Sequence, residues 1–369
     1  MKLSLIALFI CIISSNYSND TRPSLRSRIK ELMQSYQKRT IIFNEQYRPN
    51  QKTPTHQLQS YIEYYLRSLQ YPFKIISEES DNDDLYIQYQ LPSWVNLRFL
   101  NKKLSRDILS QCIYKSEISS SEVEQYLDIS LGYNKKIQIS FSKDHARAQV
   151  AIIVDDMGYR GKGYQLYKKI PLSVTFAILP FYEQSKLLAK ESFKLGYELM
   201  LHMPMQPAKG RAYFSSDNII KEGLTAEQIK SRIKSAISSI PYIQGINNHQ
   251  GSLATSNQMM MDSVMSQVIN HSSQLYFIDS LTSSKSVAYK TAKKIGIPTL
   301  KRSFAFLDND KDINKIKNKL NKLIKTSYKK KLQIAIMHEK RSSAQALIQM
   351  IQSFKDADIE IVSPSDILY

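Results

Sequence analysis

From residue 150 to residue 362, short apolar runs alternate with stretches whose apolar residues recur at three and four positions. The runs 150–154, 173–179, 198–201, 245–247, 276–278, 298–300, 332–337 and 359–362 read as strands. The patterns between them, 164–170, 183–195, 226–240, 258–269, 284–295, 311–328 and 344–354, read as amphipathic helices. Strict alternation predicts a parallel sheet, because each crossover helix must bring the chain back to the same end of the sheet. Seven or eight such units in about 220 residues suit a closed or distorted (β/α) barrel.

Polar residues collect at one end of these strands. Asp155 and Asp156 end the first, His202 ends the third and His249 follows the fourth. Asp279 ends the fifth, Arg302 follows the sixth and His338 ends the seventh. Strand C-termini of a parallel barrel share one rim, so these side chains would converge on one mouth. Three of the six histidines fall there, which a random scatter would not produce. A hydrolytic metal site needs a carboxylate and neutral imidazoles, with one position left for water. One Asp of the 155/156 pair, His202 and His249 supply that set. The second carboxylate could take a proton from the bound water, and His338 could give one to a leaving group. Neighbouring residues on a strand point to opposite faces, so Asp155 and Asp156 are expected to split these roles. Asn247 and Asn248 are read as holding the loop that carries His249. Asp279 is either part of the site or an acceptor for the Ser280 or Thr282 amide. His271, near a helix end, is expected at the surface.

The motifs AIIVDDMG (151–158), GYELMLHMPMQP (196–207), GINNHQGS (245–252) and FIDSLT (277–282) resemble successive signatures of the divergent polysaccharide deacetylase family. AIMH (335–338) is similar to its last strand. That family is a branch of the NodB-homology fold, a distorted (β/α) barrel, and the resemblance covers about residues 149–369. It implies a metal-dependent hydrolase acting on an N-acetylated cell-envelope glycan, with one divalent ion, zinc, as cofactor. In NodB-type deacetylases the first Asp of the pair is the base and the second binds metal. By resemblance Asp155 is then the base, Asp156, His202 and His249 the metal ligands, and His338 the acid, with Asn247, Asn248, Asp279 and Arg302 supporting. Their second motif carries two histidines four residues apart. Here His202 matches the first and Gln206 stands at the second, so His249 is expected to replace it. The stretch around Arg302 and Asp308 departs from the pattern as well. These departures keep an alternative open: a catalytically inactive deacetylase-fold protein that binds envelope glycan or an anionic surface.

Residues 20–148 lack a chemical motif and read as a small α+β domain. Helical patterns occupy 25–36 and 58–69, strands are expected at 73–76 and 85–89 around an acidic turn at 78–84, and a hairpin joins 126–131 to 136–141. His56 and His145 are expected at the surface and Trp94 in a core. The polar segment 142–147 is the expected boundary. Residues 1–19 read as an export signal: Lys2, an apolar run over 3–13 and small residues at 14–16. Eleven apolar residues are short for a membrane span, which takes roughly 20. Cleavage is the main expectation and an uncleaved anchor the second, placing the protein in the periplasm or cell envelope. After cleavage Cys112 alone would remain, which leaves no disulfide and no cysteine metal site.

The formal charge is +18. Residues 20–148 carry a net +4 and residues 149–369 a net +13, so the excess belongs to the barrel half. Solvated lysines are one reading and an anionic neighbour is the other. Within 311–331, nine lysines surround one apolar stripe with a single acid, Asp312. That face suggests an anionic membrane or wall polymer, since like charges at i,i+4 repel. Nucleic acid is not expected of an exported chain.

Overall fold

The computed structural model describes residues 54–81, 84–109, 116–117, 124–130, 136–159, 163–210 and 217–369. The expected signal segment 1–19 and the helix at 25–36 lie outside these residues. Two compact units divide the chain, Met1–His56 and Gln57–Tyr369. The second contains both sheets of the described residues.

Its first part is an α+β layer. Helix α1 (Pro54–Ser68) precedes strands β1 (Lys74–Asp81) and β2 (Asp84–Gln90), helix α2 (Leu97–Leu109), and strands β3 (Ser116–Glu117), β4 (Glu124–Ser130) and β5 (Lys136–Ser142). The sheet order is β1-β2-β5-β4-β3, antiparallel except for the β2–β5 pair. The acidic residues 78–81 are not the expected turn: they extend β1 and pair with β2. β2 supplies the reason, because its buried Leu85, Ile87 and Tyr89 hold the ladder from the core side. β1 is the exposed edge, where charges discourage further pairing. Helix α2 was not expected, although Leu97, Leu100 and Leu104 recur at helical spacing and are all buried. Trp94 packs against this core, edge-on to Tyr71, and His145 is exposed, both as expected.

From Ala148 the chain alternates as the apolar pattern predicts. The elements are β6 (Ala148–Met157), α3 (Tyr164–Tyr167), β7 (Thr175–Ile178), α4 (Ser185–Lys194), β8 (Glu198–Met205), α5 (Ala226–Ser239) and β9 (Gly245–Gln250). Then come α6 (Gln258–His271), β10 (Tyr276–Asp279), α7 (Ala288–Ile295), β11 (Thr299–Lys301), α8 (Ile313–Lys330), β12 (Leu332–His338), α9 (Arg341–Asp356), β13 (Ile359–Val362) and α10 (Pro364–Leu368). All barrel strands are parallel, in the order β11-β10-β9-β8-β7-β6-β12. β13 pairs with the first half of β6 and β7 with its second half, so one long strand carries two short neighbours on one edge.

The barrel is nearly closed. Between β11 and β12 the segment 303–307 lies along β12: the Ser303 and Leu307 amides donate to the Ile334 and Ile336 carbonyls at 3.0 Å each. Alternation along β6 sorts the core into two layers. Val150, Ile152 and Val154 face the helices, whereas Ala151 and Ile153 join Met200, Ile278 and Ile336 inside the barrel. The barrel floor is polar: the Tyr276 hydroxyl donates to buried Glu198 at 2.7 Å, and the Ser365 hydroxyl donates to the same carboxylate. Tyr276 lies so close over Gly245 that a Cβ there would come within 2.2 Å of its ring, so that position admits only glycine.

Candidate metal centre

Asp155 and Asp156 sit at the end of β6, where the pairing with β7 slips between Val154 and Met157. Asp156 takes the left-handed backbone conformation, φ 65. That bulge defeats simple alternation, so the two carboxylates do not face opposite sides as expected. Both reach His202: its Nε2 is 3.7 Å from Asp155 Oδ2 and 3.3 Å from Asp156 Oδ1. Gln250 and Leu281 also hold positive φ in the rim loops. Bulky residues in that region carry strain, and strain of this kind gathers where side chains must be aimed.

His202 ends up on the same rim because β8 runs to Met205, four residues past its expected end. His249 follows on β9 in register with Pro204. Its Nδ1 lies 3.0 Å from Asp156 Oδ1 and 3.1 Å from His202 Nε2. Asn247, fully buried, sets the protons. Its Nδ2 donates to Asp155 Oδ1 at 2.8 Å, so its Oδ1 is the atom that faces His202 Nδ1 at 2.7 Å. A carboxylate is only an acceptor, which fixes the amide this way round and puts the His202 proton on Nδ1. In neutral His202 the Nε2 lone pair therefore points at Asp156 Oδ1 and His249 Nδ1. With the His249 proton on Nε2, three atoms with electron pairs to give stand 3.0 to 3.3 Å apart. Ligands that share one small tetrahedral ion, at bonds of about 2.0 Å, stand roughly 3.3 Å apart. The donor set fits a divalent metal, and among the described residues Asp156, His202 and His249 are the one group of carboxylates, imidazoles and thiols so gathered.

The local charges agree. Burial works against the Asp156 carboxylate, but His202 and His249 hold its pKa well below the usual range. Burial likewise opposes charge on His202, and the two aspartates more than restore it, raising its pKa. Burial lowers that of His249 and raises that of Asp155.

His338 ends β12 in register with Asp155. Its Nδ1 is 2.7 Å from Asp308 Oδ1, and its amide donates to Asp308 Oδ2 at 2.8 Å. The Ser343 hydroxyl donates to the same oxygen at 2.6 Å, and Lys340 Nζ lies 3.5 Å from it. Burial disfavours the imidazolium, but buried Asp308 outweighs it and lifts the His338 pKa to about 9. The sequence pattern singles out Asp308 without revealing this partnership, because nothing in its spacing from His338 betrays a contact made between residues 30 positions apart.

A family model described as divergent polysaccharide deacetylase matches residues 152–368. The chain belongs to the divergent polysaccharide deacetylase family. It is 30% identical over 230 residues to the uncharacterized protein YibQ of Escherichia coli K12, covering 62% of this chain and 70% of that one. An uncharacterized protein of Haemophilus influenzae Rd is also 30% identical over 230 residues, which is 79% of its length. Among solved structures, the uncharacterized protein ATU2773 of Agrobacterium tumefaciens C58 shares the fold, with a TM-score of 0.56 and 21% identity. That match spans 60% of this chain and 89% of the other.

Against this family background the remaining expected residues sort themselves by their contacts. Gln206, at the place of the second motif histidine, accepts the Glu222 amide on its Oε1 at 2.8 Å and so ties down a loop. Asn248 clamps the rim: its Nδ2 donates to the Gln250 carbonyl at 2.8 Å and its Oδ1 accepts the Ser280 amide at 2.9 Å. Asp279 accepts from the Leu281 amide, the Ser286 hydroxyl and the Tyr289 amide, which secures the start of α7. Arg302 spends its guanidinium on the backbone carbonyls of Ser280, Leu281 and Phe304. It also lies 4.1 Å from the centre of the Phe306 ring, which in turn packs against His338. Asn248, Asp279 and Arg302 thus act as supports. His271, exposed in the last turn of α6, stays at the surface as expected.

Proposed function

We propose that the protein removes acetyl groups from an N-acetylated glycan of the cell envelope, using one divalent ion, zinc, held by Asp156, His202 and His249. The observation that carries this reading is the convergence of Asp156 Oδ1, His202 Nε2 and His249 Nδ1 beside a second, buried carboxylate. Three protein ligands are what an open, catalytic site uses. When bound, such an ion polarises the amide carbonyl and lowers the pKa of water.

Hydrolysis consumes one water and yields acetate and a free amine. Asp155 takes the proton from the attacking water. Burial raises its basicity, and the Asn247 amide holds it in place without neutralising it. The breaking C–N bond leaves its electron pair on nitrogen, which needs a proton. His338 gives it from Nε2, since Nδ1 is committed to Asp308. A pKa of about 9 keeps His338 charged at neutral pH, as an acid must be. Acetate release from N-acetylated glycan fragments by the zinc-loaded protein tests the reading. Release is expected, and its abolition by a chelator with it. Fully metallated protein inert on all such fragments would contradict it.

Export rests on the apolar run over residues 3–13. N-terminal sequencing of the envelope fraction should begin after about Ser15; an intact Met1 on cytoplasmic protein would refute export. Anionic contact through 311–331 rests on the exposed Lys311, Lys322, Lys325 and Lys329. Their neighbours Lys319, Lys330 and Lys331 bond backbone carbonyls of this same chain, and Lys315 pairs with Asp310. Binding to anionic vesicles should fall with salt and with replacement of Lys322 and Lys325 by Gln.

A further inference from the structure

The far end of the barrel carries a second concentration of charge. A cavity of about 340 Å³ is lined by the start of α2, the segment that follows β5, the first residues of β6, Lys331 just before β12, and residues of β13 and α10. Gln149 lines it, six residues before Asp155 on β6, so extended chain puts it roughly 20 Å from the metal ligands. Its cationic lining comprises Arg98, Lys143, Arg147 and Lys331, with His145 beside them.

Two acids also line it, and each is already matched. Glu360 lies 2.8 Å from the buried Lys143 ammonium. Asp366 accepts from Asn96 at 2.9 Å and from the Ser363 amide at 3.0 Å, with Arg98 at 3.9 Å. Arg147 and Lys331 join no ion pair among the described residues, yet they are held side by side. Lys331 Nζ donates to the Arg147 carbonyl at 3.3 Å. The Arg147 guanidinium rests 4.6 Å over the Tyr328 ring, and its amide donates to the Asp358 carbonyl. Lys331 keeps a positive φ of 62 at the end of α8, an uncommon conformation for lysine. Two cations without a carboxylate partner at one cavity both attract an anion that enters it. Arginine suits the planar, bidentate contact that phosphate oxygens offer.

We propose that this cavity is a binding site for a phosphate group, free or as the monoester of a small molecule, held by Arg147 and Lys331. Its volume falls within the range of small-molecule sites, about 300–1,000 Å³, and exceeds what a bare phosphate needs. The site is independent of the hydrolytic reading, because it shares no residue with the barrel mouth.

Calorimetric titration of the full chain with inorganic phosphate and with a hexose monophosphate, at constant ionic strength set by chloride, tests it. The parent should bind at one saturable site. Arg147→Gln and Lys331→Gln should each weaken binding about tenfold, as expected for one charged hydrogen bond, and the double variant should abolish it. Both side chains are exposed, so the variants should melt as the parent does without ligand. His202→Ala should bind as the parent does. Preference for the monoester would identify an organic phosphate, and preference for the inorganic ion a free one. No binding by the parent, equal binding by the double variant, or loss in His202→Ala with retention in Arg147→Gln would overturn the proposal.

Discussion

Two histidine–aspartate groupings share the barrel mouth, and they are built on opposite principles. Asp308 and His338 form a matched pair: one acceptor meets one N–H at 2.7 Å, and Ser343 and the His338 amide satisfy the rest of the carboxylate. Asp156, His202 and His249 bring three electron-pair donors together, with Asn247 having already claimed the one His202 proton. The first group is complete as it stands and fixes a charge. The second gathers the donor set that a divalent ion takes. Residue types alone do not separate the two cases; hydrogen-bond direction does.

The largest effect should come from the carboxylate that belongs to neither group. Asp155→Asn is expected to keep the metal and lose about 10²–10⁴-fold in deacetylation rate, the usual cost of a missing general base. Near-normal turnover would mean that the mouth uses another base.

Asp308→Asn sharpens the contrast from the other side. The folded His338 pKa of about 9 lies above its ordinary 6.5. The pair's stabilisation is therefore fully present below about pH 6.5 and is lost as pH rises through about 9. Activity that needs charged His338 should have an alkaline limb near pH 9. Asp308→Asn should move that limb down toward 6.5 and cost about 1.5–3 kcal/mol in stability, with metal content unchanged. An unmoved limb would detach His338 from the pH profile.

Chelation should act on the other grouping alone. Free zinc at about 100 times its dissociation constant should stabilise the fold by about 2.7 kcal/mol over the chelated protein. His338→Gln should show the same increment and His202→Ala none. Smallest of all should be the effect of Gln206→His. Because that side chain is engaged with the Glu222 amide, adding a histidine there should change metal affinity only a few-fold. A gain of a hundredfold would make the second motif position a ligand site after all.

The barrel was legible in the sequence because most of its strands are buried on both faces and its helices on one, which writes two different periods into the chain. The mouth was legible because parallel strands bring all their C-termini to one rim. Three features were not. The direction of Asp156 depends on a bulge, which one extra backbone residue creates without any change in apolar pattern. The partner of His338 is a loop residue, placed by the hydrogen bonds of 303–307 to β12 rather than by periodicity. In the small sheet, strand β1 continues through acidic residues because it is an edge, where solvent accepts charge that a central strand would exclude.

The claim on which the rest depends is that Asp156, His202 and His249 together hold one divalent ion. Elemental analysis of the purified chain and of His249→Ala, after dialysis against trace zinc, measures it directly. The parent should retain about one ion per chain and the variant should lose it, since an open site has only three protein ligands to give. A metal-free parent, or full occupancy in His249→Ala, would contradict the account.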